Sequence, residues 1–167
     1  MVNDYGLSNN QNETIITLRK DFRIGSTTGN ASIPTSEKMD KGFKTAPIKL
    51  NKLDDIWVGN YQDLEDIDIV KMDIEGHEDF CIIGAKQTFK KYRPTILMEV
   101  AKSYYIERGV SLDKTFFPII PDNYSLFCKK NKQWIKITTL ENCKNIDNVF
   151  WIPNEKLLLK KYQLFKQ

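Results

Sequence analysis

The chain is short of the residues that several common classes of protein require. Its 167 residues include three cysteines, eight glycines and one histidine. Cys81, Cys128 and Cys143 are odd in number and widely spaced, which favours reduced thiols over a disulfide framework or a zinc site. No apolar run reaches the length of a membrane span and no apolar leader follows Met1. We therefore expect a cytoplasmic protein with neither anchor nor signal peptide.

An excess of charge is also missing. The 25 basic and 22 acidic residues are interspersed and leave a net charge of +3. This balance gives no reason to expect nucleic acid or a membrane surface as a partner. With 41% hydrophobic residues and no linker, residues 1–167 are expected to form a single domain with a real core.

The most informative stretch begins with an apolar, β-branched run at residues 67–74. Its composition predicts a strand buried on both faces of a parallel sheet. Asp73, Glu75 and His77 follow at the carboxyl end of this strand. Ligands of open α/β sheets bind at that end, so these three residues are the first candidates for a functional site.

A helix up to Tyr92 is predicted next, with an apolar stripe facing the sheet. Gly84 lies inside it, which predicts a break or a close packing contact. Pro94 ends the helical region and begins a second apolar strand that closes near Val100.

The flanking regions give weaker signals. Residues 5–8 look like the end of a strand, and 14–18 form another. Residues 21–46 form a polar loop, whose Gly25 to Gly29 segment is read as a flexible loop or substrate lid rather than a phosphate cradle. A strand at 46–53 leads into a helix that Asp54 and Asp55 can cap.

The remaining elements follow after Val100. The predicted elements are a helix at 101–109, a hairpin of 124–128 with 133–137, a strand at 148–152 and an amphipathic helix at 155–167.

Each candidate residue has a simpler interpretation. Asp73 and Glu75 can cap the helix through its backbone amides. His77 has a side chain whose ordinary pKa near 6.5 suits a general base, yet a histidine exposed in the first helical turn is an equal alternative. Asp73, Glu75 and Glu78 can hold a divalent cation, although carboxylates more often only favour a helix N-terminus. We assign no metal.

Residues spread over about positions 45 to 100 carry a family resemblance. The residues that match are Lys71, Asp73, Glu75, Gly76 and Glu78, then Gly84 and Ala85, then Arg93, Pro94 and Glu99, with Leu53, Asp54 and Asp55 upstream. This ordered pattern resembles the FkbM family of S-adenosylmethionine-dependent methyltransferases. The resemblance implies a Rossmann-like class I α/β sheet, mostly parallel with an antiparallel C-terminal edge. It also implies O-methylation of a hydroxyl on a sugar, polyketide or other small molecule.

The resemblance further implies roles for individual residues. Leu7 and Ser8 match a segment near the adenine of the cofactor, so Leu7, Ser8 and Asp73 are the expected cofactor-binding residues. Asp73, Glu75 and His77 are the expected catalytic residues, which would take or orient the proton of the acceptor hydroxyl.

The Gly-rich turn on which such a cofactor site is usually built is missing. None of the eight glycines stands in a Gly-x-Gly arrangement after a strand, although glycine lets backbone amides approach a ligand. We expect a partial domain that lacks the first strands of the sheet. Three hypotheses follow: an active methyltransferase, an inactive remnant, or a binding module whose exposed sheet edge pairs with another chain or with a second copy as a homo-oligomer.

Overall fold

The computed structural model describes residues 4–18, 31–34, 44–61 and 66–165. The chain is a mixed α/β protein. Its strands are β1 Tyr5–Leu7, β2 Asn12–Leu18, β3 Ala31–Ser32, β4 Lys44–Asn51, β5 Ile69–Met72, β6 Thr95–Ala101, β7 Tyr124–Lys130, β8 Gln133–Ile137 and β9 Ile146–Pro153. Its α-helices are α1 Leu53–Asn60, α2 Glu78–Gly84, α3 Lys86–Tyr92, α4 Lys102–Glu107 and α5 Leu112–Phe116.

These strands form two sheets. The first has the order β1-β4-β2-β3 and the second the order β5-β6-β9-β7-β8. In the second sheet β5 and β6 are parallel, β9 lies antiparallel between β6 and β7, and β8 closes the edge as a hairpin with β7. The hairpin turns at Asn131 and Lys132, both with positive φ, as two-residue hairpin turns prefer.

The expected antiparallel C-terminal edge is present, but the sheets are not mostly parallel in the described residues. Only two of the seven pairings, β1 with β4 and β5 with β6, are parallel. The reason is the position of β9, because one reversed strand between β6 and β7 makes two antiparallel pairings. The pairings of β2 with β3 and with β4 and the β7–β8 hairpin supply the other three.

The core lies between one face of the second sheet and the helices. Ile96, Met98 and Val100 alternate along β6 and are fully buried, at 1% exposure or less. They share a cluster with the apolar residues of α2 to α5, including Ile82, Phe89 and Phe116. The predicted helical stripe therefore packs where its spacing indicated.

The break predicted at Gly84 is confirmed. α2 ends at Gly84 and α3 begins at Lys86, with Ala85 between them. Asp54, however, does not cap α1, whose N-cap residue is Lys52 and has no side-chain capping hydrogen bond. Its carboxylate instead accepts hydrogen bonds from the backbone amides of Gln87 and Thr88 at 2.9 and 2.8 Å. It caps α3, because packing of α1 on α3 brings it there.

Two further predictions are corrected. β5 is buried on one face only: Ile69 is 59% exposed and Lys71 is exposed as well, because only the face that carries Val70 and Met72 packs against the core. The C-terminal segment is not an α-helix but two 3-10 segments, Lys156–Leu158 and Lys160–Phe165. The hairpin, the strand β9 and the helix α4 are found as predicted.

Within the described residues no helix is long and apolar enough to cross a membrane. The Gly25 to Gly29 segment, and most of the predicted loop around it, lies outside the described residues.

Candidate functional site

The turn between β5 and α2 has an unusual backbone. Glu75 and Gly76 both have positive φ, at 57° and 88°. A Cβ built on Gly76 would lie 2.5 Å from the ring of Tyr104. Only glycine fits between the turn and this ring, since it combines a permitted positive φ with no side chain. The close approach in turn lets the Tyr104 hydroxyl donate to Glu75 Oε2 at 2.6 Å.

The buried carboxylate of Glu78 binds the backbone of this turn. Its side chain is 2% exposed. Glu78 Oε1 accepts from the backbone amides of Ile74 and Gly76 at 3.1 and 3.4 Å, and Oε2 accepts from the Tyr105 hydroxyl at 2.7 Å. Burial raises the pKa of Glu78 even though these hydrogen bonds oppose the rise. The amides of this turn are thus bound by Glu78, not by Asp73 or Glu75 as the capping interpretation supposed.

A buried ion pair ties α4 to the start of α2. Arg108 donates two hydrogen bonds to the Asp79 carboxylate, at 3.0 and 2.6 Å, and a third to the Gly76 carbonyl at 3.3 Å. The two side chains are only 13% and 6% exposed. A bidentate arginine with this geometry fixes orientation as well as distance, so α4 and the turn form one rigid unit.

His77 is buried, which excludes the interpretation of an exposed histidine. It is 7% exposed, its ring lies 4.7 Å from that of Phe80, and Nε2 is 2.9 Å from the Ser8 hydroxyl. Ser8 itself donates to Asn9 Oδ1 at 3.3 Å. Burial is the main reason that the pKa of His77 falls to about 4, so the ring is neutral at pH 7. This is a weaker base than the ordinary pKa near 6.5 indicated.

The bond from His77 to Ser8 depends on Gly84. A Cβ on Gly84 would come within 1.9 Å of the Ser8 carbonyl oxygen. The absence of a side chain therefore lets the end of β1 lie against α2, and this contact places Ser8 under the turn.

One cavity, of about 400 Å³, collects most of the predicted site residues. It lies between the two sheets, where β1 and β5 end. Its lining includes Leu7, Asp73, Glu75 and His77, and Ser8 joins through its bond to His77. The rest of the wall is mostly apolar and comes from the strands β1 to β5 and the helices α1 to α3. The structure thus brings together all five residues that the sequence singled out.

The rim of the cavity is acidic. Asp73 forms a surface ion pair with Lys71, at 2.7 Å. Glu99, half-buried in β6, lies close enough that burial, followed by the charges of Asp73 and Glu75, raises the pKa of its carboxyl. Within the described residues, no three carboxylate, histidine or cysteine side chains converge where they could hold a metal ion.

The model of the methyltransferase FkbM domain matches residues 2–142. The chain belongs to the FkbM methyltransferase family. This confirms the resemblance read from residues 71–99. Comparison with curated proteins and with solved structures gave no match.

Two carboxylates of the family motif have different environments, and the sequence alone did not distinguish them. Glu75 faces the cavity, whereas Glu78 is a buried structural residue. The sequence analysis also missed the roles of Tyr104 and Tyr105. Nothing in the sequence pairs Tyr104 with Glu75 and Tyr105 with Glu78, because the pairing follows from how α4 packs on the turn.

Proposed function

We propose that this chain is an S-adenosylmethionine-dependent O-methyltransferase acting on a hydroxyl of a sugar, polyketide or other small molecule. The observation that carries the proposal is the cavity at the ends of β1 and β5, lined by Leu7, Asp73, Glu75 and His77. Its volume of about 400 Å³ is that of a small-molecule site. It lies outside the carboxyl ends of strands, where α/β sheets bind ligands.

The order of the second sheet supports a class I methyltransferase arrangement. In such a sheet the last strand by sequence inserts antiparallel between two earlier strands, and β9 lies in this way between β6 and β7. The proposal then places β5 and the turn after it beside the cofactor.

The chain's residues fit part of the cofactor. Apolar walls that include Leu7, Ile48 and Leu53 suit a flat, weakly polar base. His77 adds a buried Nδ1 that has no hydrogen-bond partner among the described residues, a group that a bound ligand can satisfy. The described residues offer no Gly-rich turn for the remaining polar groups. When bound, the cofactor would supply an activated methyl group.

The chain's own residues would then orient the acceptor and take its proton. Asp73 is an accessible carboxylate of the cavity, with 39% of its side chain exposed. We assign proton removal to it. Glu75, held by Tyr104, would orient the acceptor hydroxyl. His77 stays neutral at pH 7 and would accept a hydrogen bond without adding charge.

Calorimetric titration with S-adenosylhomocysteine tests the proposal, after circular dichroism has shown that the chain is folded. We expect a Kd in the micromolar range, which corresponds to a binding free energy of about −8 kcal/mol. A folded chain that gives no heat of binding would overturn the proposal and leave the inactive remnant as the explanation.

A matched pair of variants locates the site. Asp73→Asn is expected to weaken binding or lower methyl transfer without unfolding the chain. Asp55→Asn is the control, because Asp55 forms a comparable ion pair with Lys52 at 3.0 Å and is 43% exposed, but lies outside the cavity. Equal behaviour of the two variants would remove Asp73 from the site. His77→Ala should also lower activity.

A second candidate function is a binding module. Among the described residues β5 pairs on one side only, and Ile69 on it is 59% exposed. An edge strand of this kind can pair with a second copy. Sedimentation velocity should then show a dimer that Ile69→Lys dissociates. A monomer at all concentrations would exclude the homo-oligomer.

A further inference from the structure

The second sheet is covered unequally on its two faces. The face with Ile96, Met98 and Val100 packs against the helices. The opposite face, which we call the back face, carries the residues that alternate with these along each strand. On this face Leu97 of β6 lies opposite Phe150 of β9. The 3-10 segments cover one end of it, where Phe165 packs on Phe127, Phe150 and Trp134.

Beyond Phe165 the back face forms an open groove of about 680 Å³. Its apolar lining residues are Leu97, Trp134, Ile146 and Phe150. Ile146 is 63% exposed and lies in the same groove as the other three, so together they form an apolar patch that a partner can bury. The groove crosses β6, β9, β7 and β8, which is three strand spacings or about 14 Å. That width accommodates one α-helix with its side chains, about 10 Å across.

Three lysines give one side of the groove a positive charge. Lys129, Lys132 and Lys144 line it near the hairpin, and within the described residues none of them forms an ion pair. Asp147 also lines it, but its carboxylate accepts hydrogen bonds from the backbone amides of Lys144 and Asn148. The positive charge is therefore left for an external anion.

One carboxylate lies beside the groove on β6. Glu99 follows Leu97 on the same face of that strand and lies opposite Asn148 of β9. A partner with acidic side chains must place them near the lysines of the lining and away from Glu99.

We propose that the back-face groove binds an amphipathic α-helix of a partner protein, with its apolar stripe on Leu97, Ile146 and Phe150 and its acidic flank on the three lysines. A helix laid in a groove uses this combination of apolar anchors and flanking charge. Single-stranded nucleic acid fits less well. The rings of Trp134 and Phe150 already pack against each other at 4.8 Å and each against Phe165 at 5.3 Å. The two remaining anchors, Leu97 and Ile146, are aliphatic.

The test uses a fluorescein-labelled synthetic helix of about 18 residues, roughly five turns, with leucine on one face and glutamate on one flank. Anisotropy should give a Kd in the micromolar range for the full chain. Ile146→Glu and the triple variant K129E/K132E/K144E should each weaken binding about tenfold or more. The matched triple variant K86E/K90E/K114E reverses the same number of lysines outside the groove and should bind like the parent.

Three outcomes would overturn the proposal. The first is equal binding of a scrambled peptide of the same composition, which would mean charge attraction alone. The second is tighter binding of a labelled oligothymidine, which would make the groove a nucleic-acid site. The third is a groove closed by self-association, seen as a dimer that Ile146→Glu dissociates. Titration of the same variants with S-adenosylhomocysteine keeps this result separate from the proposed methyltransferase site.

Discussion

At the scale of single residues, two adjacent tyrosines serve two different carboxylates. Tyr104 donates to Glu75 on the cavity wall, and Tyr105 donates to the buried Glu78. A hydrogen bond to a charged group stabilises by about 1.5 to 3 kcal/mol, and more is lost when a buried charge is left without its donor. The two hydroxyls therefore have separable consequences.

Tyr104→Phe and Tyr105→Phe form a matched pair for this point. Tyr104→Phe keeps the ring against Gly76, so we expect a loss of about 1 kcal/mol in unfolding free energy and a several-fold weaker affinity for S-adenosylhomocysteine. Tyr105→Phe should cost about 2 to 3 kcal/mol, because Glu78 stays buried. Urea unfolding and calorimetry measure both. A larger loss of stability in Tyr104→Phe than in Tyr105→Phe would contradict the assignment of Tyr104 to the functional site and of Tyr105 to its structural support.

The lowered pKa of His77 makes the free energy of unfolding depend on pH, and it determines the direction of that dependence. Its pKa falls to about 4 in the folded chain from an ordinary 6.5, so the unfolded chain binds more protons between these values. Stability is then complete above pH 6.5 and is lost as pH falls through about 4, by roughly 3 kcal/mol.

The comparison variant is His77→Gln, which does not titrate. Urea unfolding from pH 7 to pH 4 should show this variant losing less stability than the parent. The difference between the two proteins isolates His77, because Glu78, whose pKa is raised by burial, acts in the opposite direction in both of them. Parallel curves would mean that His77 is not buried as a neutral ring.

At the scale of elements, the joint between α2 and α3 holds the site together. The helix breaks at Ala85, and Gly84 before it touches the backbone of Ser8. Asp54 from α1 caps α3 on the other side of the break. Three segments distant in sequence thus meet at one interruption of a helix, and the end of β1 is fixed beside the turn that carries Glu75.

Gly84→Ala should therefore be disruptive. The new Cβ would meet the Ser8 carbonyl at 1.9 Å, and we expect a loss of about 3 kcal/mol with weaker ligand binding, because the backbone on both sides must shift. Gly59→Ala is the control, since nothing lies within 4 Å of its Cβ. In helix α1 that change should stabilise by up to about 1 kcal/mol. Thermal unfolding separates the two; equal melting temperatures would contradict the close contact.

At the scale of the whole molecule, the core encloses all three thiols. Cys81, Cys128 and Cys143 are buried and unpaired. Burial is the main cause that raises the pKa of Cys81 and of Cys143 to about 12. The thiolate is the reactive form, so a folded chain should react slowly with thiol reagents.

Labelling with a disulfide reagent tests the integrity of this core. The native chain should remain unlabelled at pH 7, and urea should expose three thiols in one transition that follows the loss of circular dichroism. Intact mass gives the count. Fast labelling of one cysteine in the native chain would show that the sheet containing it opens on its own.

Local pattern was enough to find most of the elements. The apolar run before Asp73, the helical stripe to Tyr92, the break at Gly84 and the hairpin before Ile137 were all predicted, because each follows from side-chain periodicity or from a backbone preference of neighbouring residues. The order of motif residues from Lys71 to Glu99 also predicted the family, and the family model confirms it. Each of these properties is determined by a stretch of about thirty residues or fewer.

Tertiary structure alone decided which polar groups serve the fold and which face the cavity. Glu75 and Glu78 are three positions apart and chemically alike, yet one lines the cavity and the other is buried. His77 became a neutral, buried ring beside Ser8 and Phe80, and in the part of the chain that the structure describes β5 pairs with β6 alone. Desolvation and strand pairing depend on what the rest of the chain places nearby, and a local pattern carries no information about that.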